Sequence, residues 1–327
     1  MTAKIFIHIG PPKTGTTALQ FAVQNATLTR ARYGGCFQPR ENNTGLSAKV
    51  LAHAHLPDAK GSAKRAEIRK EFKDALNAGQ SVFISEEMLL LGDRHLQSPD
   101  RLEALADMVQ GMPTVILLTL RRPSDAIPSL YQELYLGLEG KYWRDFNGFC
   151  TSRHVHCYRY KCIIQRLTAL GFETLVLLNF EMLNDFPKHL AQFPELDGIQ
   201  AITALQQKNI SKTGAAGARW LPAIDAGSVL TSILSHKRHR LIAKCRRKSP
   251  FLSKLLAKHV LKEQLATLSV PTDIAAELDV DFLELTADVG TIRRLSSKHD
   301  DPIRHGARPQ RQGASKPYPR PRYGGTP

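Results

Sequence analysis

Lys13, Thr14, Gly15, Thr16 and Thr17 stand in one turn, Gly10-Pro11-Pro12-Lys13-Thr14-Gly15-Thr16-Thr17, between an apolar run and the start of a helical pattern. Ile5, Phe6, Ile7 and Ile9 read as a strand, while Leu19, Ala22 and Val23 recur at helical spacing from Thr16 onward. A turn so placed delivers free backbone N–H groups at a helix N-terminus, where the helix dipole also favours negative charge. Lys13 adds a full positive charge, and the hydroxyls of Thr14, Thr16 and Thr17 add donors. Gly15 lets a ligand come close to the backbone, because no Cβ stands in the way. So many donors at one point suit a phosphate or a sulfate.

Two further segments carry groups that could serve such a site. Residues 115–120 (VILLTL) are short, apolar and β-branched, as a buried strand requires, and Arg121-Arg122-Pro123-Ser124-Asp125 follows, with Ser129 eight residues after Arg121. An arginine at a strand end can fork onto two phosphate oxygens, and a serine on the next helix supplies a hydroxyl. Residues 80–85 (QSVFIS) read as another strand, ending in Glu86 and Glu87. A carboxylate at a strand's C-terminal end can take a proton from an attacking hydroxyl. Successive strand residues point to opposite faces, so only one of the two can face the loop. The other would cap the following helix or pair with Arg121 or Arg122.

The segment Pro12-Lys13-Thr14-Gly15-Thr16-Thr17 resembles the Pro-Lys-[Ser/Thr]-Gly-Thr-Thr loop of sulfotransferases, and 121–131 resembles that family's Arg-x-Pro-x-Asp-x-x-x-Ser-x-Tyr pattern. The resemblance implies a donor, 3′-phosphoadenosine 5′-phosphosulfate (PAPS), with its 5′-phosphosulfate on Lys13, Thr14, Gly15, Thr16 and Thr17. It implies that Arg121 and Ser129 hold the 3′-phosphate. Bacterial members carry a Ser-Ser-Glu or Ser-Glu-Glu run similar to Ser85-Glu86-Glu87, and matching Ile84-Ser85 to theirs puts Glu87 at the catalytic base, with Glu86 as the alternative. Lys13 would assist catalysis by stabilising the charge on the leaving group, and no metal is required. Lys208-Asn209-Ile210-Ser211 is similar to a segment those enzymes carry after their last core strand, and Lys212 or Arg219 could assist the 3′-phosphate. The implied acceptor is a hydroxyl of a carbohydrate or lipid-linked glycan. Two other readings stay open. A kinase P-loop, G-x-x-x-x-G-K-[ST], shares the spacing of Gly10 and Gly15, but Thr16 stands where its lysine belongs, and neither central strand ends in the aspartate that would hold magnesium. An inactive glycan-binding homologue would bind donor and turn nothing over.

The elements that must position these residues alternate between strand and helix. A helix over 158–171 stopped by glycine, then a strand at 174–179, continue the pattern of a parallel sheet covered on both faces. The expected fold is therefore α/β: a three-layer parallel sheet of P-loop-like sulfotransferase type with extra C-terminal helices. Ligands in such sheets sit outside the C-terminal strand ends, where Lys13, Glu87 and Arg121 all fall. The expected organisation is a catalytic domain at 1–295, with a core at 4–211 and a helical part at 215–295 closed by an amphipathic helix near 273–290, then a disordered Pro/Gly/Arg-rich tail at 296–327.

The chain has 327 residues and a formal net charge of +15. Residues 236–248 carry seven Lys/Arg and no acid, and the tail from Lys298 carries seven basic residues against two acidic ones. A basic helix at 236–248 could lie on an anionic membrane, whereas no aromatic-interleaved motif points to specific nucleic-acid binding. No apolar run approaches the roughly 18 residues of a membrane span, and a strand starting near Lys4 leaves no room for a signal peptide, which predicts a cytoplasmic protein, peripheral at the inner membrane surface if 236–248 binds there. Five cysteines without a C-x-x-C pair fit a reduced compartment. His154, His156, Cys157 and Cys162 match no familiar zinc spacing.

Overall fold

An apolar run that does not alternate with polar residues must be covered on both faces, and Ile5–Ile9 (β1) is buried along its whole length. The computed structural model of the chain describes residues 2–36, 45–54, 58–91, 98–201, 218–226, 229 and 259–295. Within them β1 lies in a six-stranded sheet with Ala31–Tyr33 (β2), Ser81–Ser85 (β3), Thr114–Leu120 (β4), Thr174–Asn179 (β5) and Ile292–Arg294 (β10), in the order β10-β5-β4-β1-β3-β2. The first five strands run parallel, and β10 closes the β5 edge antiparallel. The expected α/β architecture is the observed one, with this edge strand as the departure from a wholly parallel sheet.

Register divides the core into two layers. Ile5, Ile7 and Ile9 pack with Ile84, Ile116 and Leu118 on one face, under the helices Leu46–His53 (α2), Asp58–Asn77 (α3), Ser98–Val109 (α4), Pro123–Leu134 (α5) and Tyr160–Ala169 (α7), with the short Phe146–Cys150 (α6) beside them. On the other face Phe6, Phe83, Leu117 and Val176 pack with Leu19 and Val23 of Thr16–Gln24 (α1) and with Phe186 and Leu190 of Phe186–Leu190 (α8). The period-2 alternation along each strand supplies both layers at once.

The chain order within the sheet matters for function. From β1 the chain runs to the β2 edge, returns to pair β3 beside β1, and crosses to β4 on the other side of β1. The sheet is therefore wound outward in both directions from β1, and the crevice beyond its C-terminal end is the topological switch point at which open α/β sheets bind ligands.

The described part of 215–295 is mixed, where helices were expected. Ala218–Leu221 (β6) pairs antiparallel with Gln264–Thr267 (β9), Ile224–Asp225 (β7) pairs with His259–Leu261 (β8), and the closing helix is Thr272–Thr286 (α9). Trp220 and Leu265 pair across the ribbon and are both exposed, while Ala218 and Leu221 are buried, a pattern over four residues that shows no strand period to set against the helical reading. The 158–171 helix also begins later than expected, since residues 153–158 form a 3-10 segment that Arg159 separates from α7. Residues 202–217, which include Lys208 to Lys212, the basic segment 236–248 and the tail 296–327 lie outside the described residues.

Candidate active site

The loop between β1 and α1 folds against its own carbonyls. Lys13 and Gly15 both adopt left-handed backbone, with φ of 69° and 78°. Left-handed residues within a tight turn gather successive N–H groups into a concave anion nest, and the first turn of α1 adds N–H groups that have no acceptor inside the helix. For Lys13, which has a Cβ, that conformation costs about 1 kcal/mol or more. The loop is held both from within and from outside. The Thr14 hydroxyl donates to the carbonyl of Pro11 at 2.7 Å, the Tyr158 hydroxyl to that of Pro12 at 2.7 Å, and an Arg121 Nη to that of Lys13 at 2.6 Å. Three consecutive carbonyls are thereby occupied. A Cβ on Gly10 would lie 2.7 Å from Thr14 Oγ1 and 3.2 Å from Thr119 Cβ, so only glycine lets the loop close over β4.

Each neighbouring strand delivers one charged group to this loop. After β3, Glu86 is buried and its side chain accepts the Met88 N–H at 3.0 Å, capping the 3-10 turn Glu87–Leu89. Glu87 turns the other way, and its Oε2 accepts the hydroxyl of Thr16 at the start of α1. The buried Arg101 of α4 donates to the carbonyls of Met88 and Leu91 and fixes the segment that carries Glu87. After β4, Arg121 stacks on the Phe180 ring at 4.3 Å from its centroid, and its backbone N–H and C=O both engage the Tyr160 hydroxyl. Arg121 Nε is buried without a hydrogen-bond partner among the described residues. A buried donor left in that state at a strand end marks a place for an acceptor.

The 121–131 segment divides its contacts between the loop and the closing helix. Ser129 lies buried on α5. Arg122 points away from the loop, to Asp279 of α9 at 2.9 Å. Asp279 also accepts the backbone N–H of Ser124 at 3.1 Å and its hydroxyl at 2.7 Å, so the closing helix caps the N-terminus of α5. Strand β6 packs on the same helix, where Gln132 donates to the Trp220 carbonyl at 2.9 Å. Burial lowers the pKa of the Arg219 guanidinium, and the nearby charge of Arg121 lowers it further.

Several of these residues carried no signal in the sequence. His8 is fully buried in β1, with Nδ1 2.7 Å from Ser85 Oγ of β3 and Nε2 2.7 Å from Thr119 Oγ1 of β4. Burial pushes its pKa down to about 3, so it is a neutral crosslink just beneath the loop. Tyr158 and Tyr160 were read as part of a helix. Glu133 of α5, whose Oε2 lies 2.9 Å from Lys13 Nζ, belongs to no motif. Among the described residues no group of three or more His, Cys, Asp or Glu is placed to hold a metal ion.

No protein-family model matches the chain, and no curated protein does. Among solved structures it is similar to a sulfotransferase domain from the curacin biosynthetic pathway, at 13% identity over 66% of this chain and 82% of that one, with a TM-score of 0.31. It is similar to mouse sulfotransferase SULT7A1 complexed with PAP, at 13% identity over 78% and 87%, TM-score 0.33. It is also similar to a structure of the PezAT chromosomal toxin-antitoxin system of Streptococcus pneumoniae, at 11% identity over 79% and 89%, TM-score 0.26. Superpositions this loose leave the reading of the site to the residues themselves.

Proposed function

We propose that the protein is a PAPS-dependent sulfotransferase acting on a hydroxyl of a carbohydrate or lipid-linked glycan, with residues 1–295 as its catalytic unit. One observation carries this reading: at the switch point of the sheet, the left-handed Lys13–Gly15 loop is tied directly to Arg121 from β4 and to Glu87 after β3. Those are the groups that a doubly anionic nucleotide and an attacking hydroxyl would need. Lys13, the backbone of Thr14 and Gly15, and Thr16 and Thr17 bind the 5′ end of the donor. Arg121 and Ser129, assisted by Arg219, take the 3′-phosphate. Glu87 removes the proton as the acceptor oxygen attacks sulfur in line, and the bond from sulfur to the 5′-phosphate oxygen breaks. Lys13 and the loop N–H groups stabilise the charge that collects on that oxygen as adenosine 3′,5′-bisphosphate leaves.

The test is thermal stabilisation of the purified protein by adenosine 3′,5′-bisphosphate, set against ATP with magnesium. A ligand that binds only the folded state stabilises it by about 2.7 kcal/mol at a hundred times its Kd. We expect the bisphosphate to raise the melting temperature and Arg121→Lys, which keeps the charge but loses the fork, to shrink that rise. Stabilisation by ATP with magnesium alone would move the reading to a kinase.

A further inference from the structure

Lys13 is the one full charge within the loop, and it already has a partner. Its Nζ lies 2.9 Å from Glu133 Oε2. Glu133 follows Ser129 by four residues on α5, one helical turn along the same face, so the carboxylate and the serine stand side by side toward the loop. The Glu133 side chain is 52% exposed against 21% for Lys13, so solvent can receive the carboxylate when the lysine lets go. A carboxylate offers no donor to an anionic ligand, and any 5′ group that uses Lys13 meets this negative charge on the same ammonium.

Resting on the sulfotransferase reading, we infer that Glu133 is an affinity-setting residue, a built-in competitor for Lys13. It holds the lysine when no 5′ group is present and takes it back as the bisphosphate leaves. The competition weakens ligands that use Lys13 and spares ligands that do not. Release of adenosine 3′,5′-bisphosphate is thereby eased, while the 3′-phosphate contacts at Arg121 and Ser129 are untouched.

Calorimetric titration of adenosine 3′,5′-bisphosphate and of adenosine 3′-monophosphate tests this with wild type, Glu133→Gln, Lys13→Ala and the double variant. Glu133→Gln should bind the bisphosphate roughly twofold to fivefold more tightly, the range expected for releasing a half-exposed ion pair, and gain clearly less with the monophosphate, which meets the charge of Glu133 beside Ser129 but does not compete for Lys13. In the Lys13→Ala background the same substitution should gain less. Unchanged or weaker bisphosphate binding by Glu133→Gln overturns the inference, as does an equal gain in both backgrounds, which would reduce Glu133 to a general repulsive charge. Glu133→Ala repeats the comparison without the amide's hydrogen bonds. Failure of every variant and the wild type to bind either nucleotide overturns the sulfotransferase reading itself, a result distinct from binding that ignores Glu133.

Discussion

A carboxylate that accepts the N–H of the residue two positions on is not available to turn toward a loop on the other side of the strand, and this separates Glu86 from Glu87. Glu86 is bonded to Met88 and buried, whereas Glu87 reaches Thr16. Glu86→Ala should therefore lower stability by about 1 kcal/mol, the usual cost of a lost cap, and leave bisphosphate affinity near the wild-type value. Glu87→Gln should retain the wild-type melting temperature and abolish turnover of any acceptor. Chemical denaturation, nucleotide titration and sulfuryl-transfer assays of the two variants side by side check this, and turnover lost in Glu86→Ala but kept in Glu87→Gln would reverse the assignment. Residue types and order, with the family resemblance, name Lys13, Glu87, Arg121 and Ser129 as candidates and keep Glu86 as the alternative base, since spacing by itself does not choose between the two acids. That choice depends on a backbone turn after β3, which no side-chain pattern encodes. Glu133 was invisible for a related reason: it becomes part of the site only when α5 lies across the loop.

At the scale of elements, the three strands that bring the loop, the acid and the arginine together are pinned by one imidazole. His8 stands two residues before Gly10, Ser85 two before Glu87, and Thr119 two before Arg121, so the His8 bridges set the relative register of all three strand ends. The sequence showed β1 through its isoleucines, but a histidine inside an apolar strand gives no hint of which hydroxyls it will meet, because those lie on other strands. The same limit explains why β6 to β9 were missed: short strands whose partners lie some forty residues away lack the periodicity that marked β4 or α9. A pH prediction follows. The folded-state pKa of His8, about 3, lies below the ordinary value of 6.5. Between those values the unfolded chain binds a proton that the folded protein refuses. This contribution to stability is complete above about pH 6.5 and declines as pH falls toward 3, by at most about 1.4 kcal/mol per pH unit. His8→Gln, which keeps a donor and an acceptor but cannot titrate, should be less stable than wild type at pH 7.5, and the gap should narrow as pH is lowered to 4. Denaturation midpoints measured across that range that stay parallel would show that His8 takes up its proton in the folded state.

For the molecule as a whole, the excess of positive charge and the candidate site lie in different parts of the chain. Residues 236–248 supply seven of the positive charges and the tail from Lys298 a net five, against +15 overall, so the rest of the chain is close to neutral. The candidate site does not need that excess, since it has its own cations in Lys13, Arg121 and Arg219, while Arg122 and Arg159 are paired with Asp279 and Glu277 of the closing helix. No described helix is long and apolar enough to cross a membrane. If the acceptor is a lipid-linked glycan, the basic segment is the part of the chain suited to bring the enzyme to it, because each Lys or Arg near an anionic surface contributes about 1 kcal/mol. Replacing four of the seven basic residues in 236–248 by glutamine should cut cosedimentation with phosphatidylserine vesicles at least tenfold at physiological salt, while leaving bisphosphate affinity within about twofold. Ending the chain at Leu295 should have the smaller effect on vesicle binding, because the tail's charges are spread over some thirty residues where those of 236–248 fall within thirteen. Vesicle binding that survives the glutamine replacements but disappears with the tail would move the membrane contact to the far end of the chain, and binding that survives both would mean that charge is not what holds the protein at the surface.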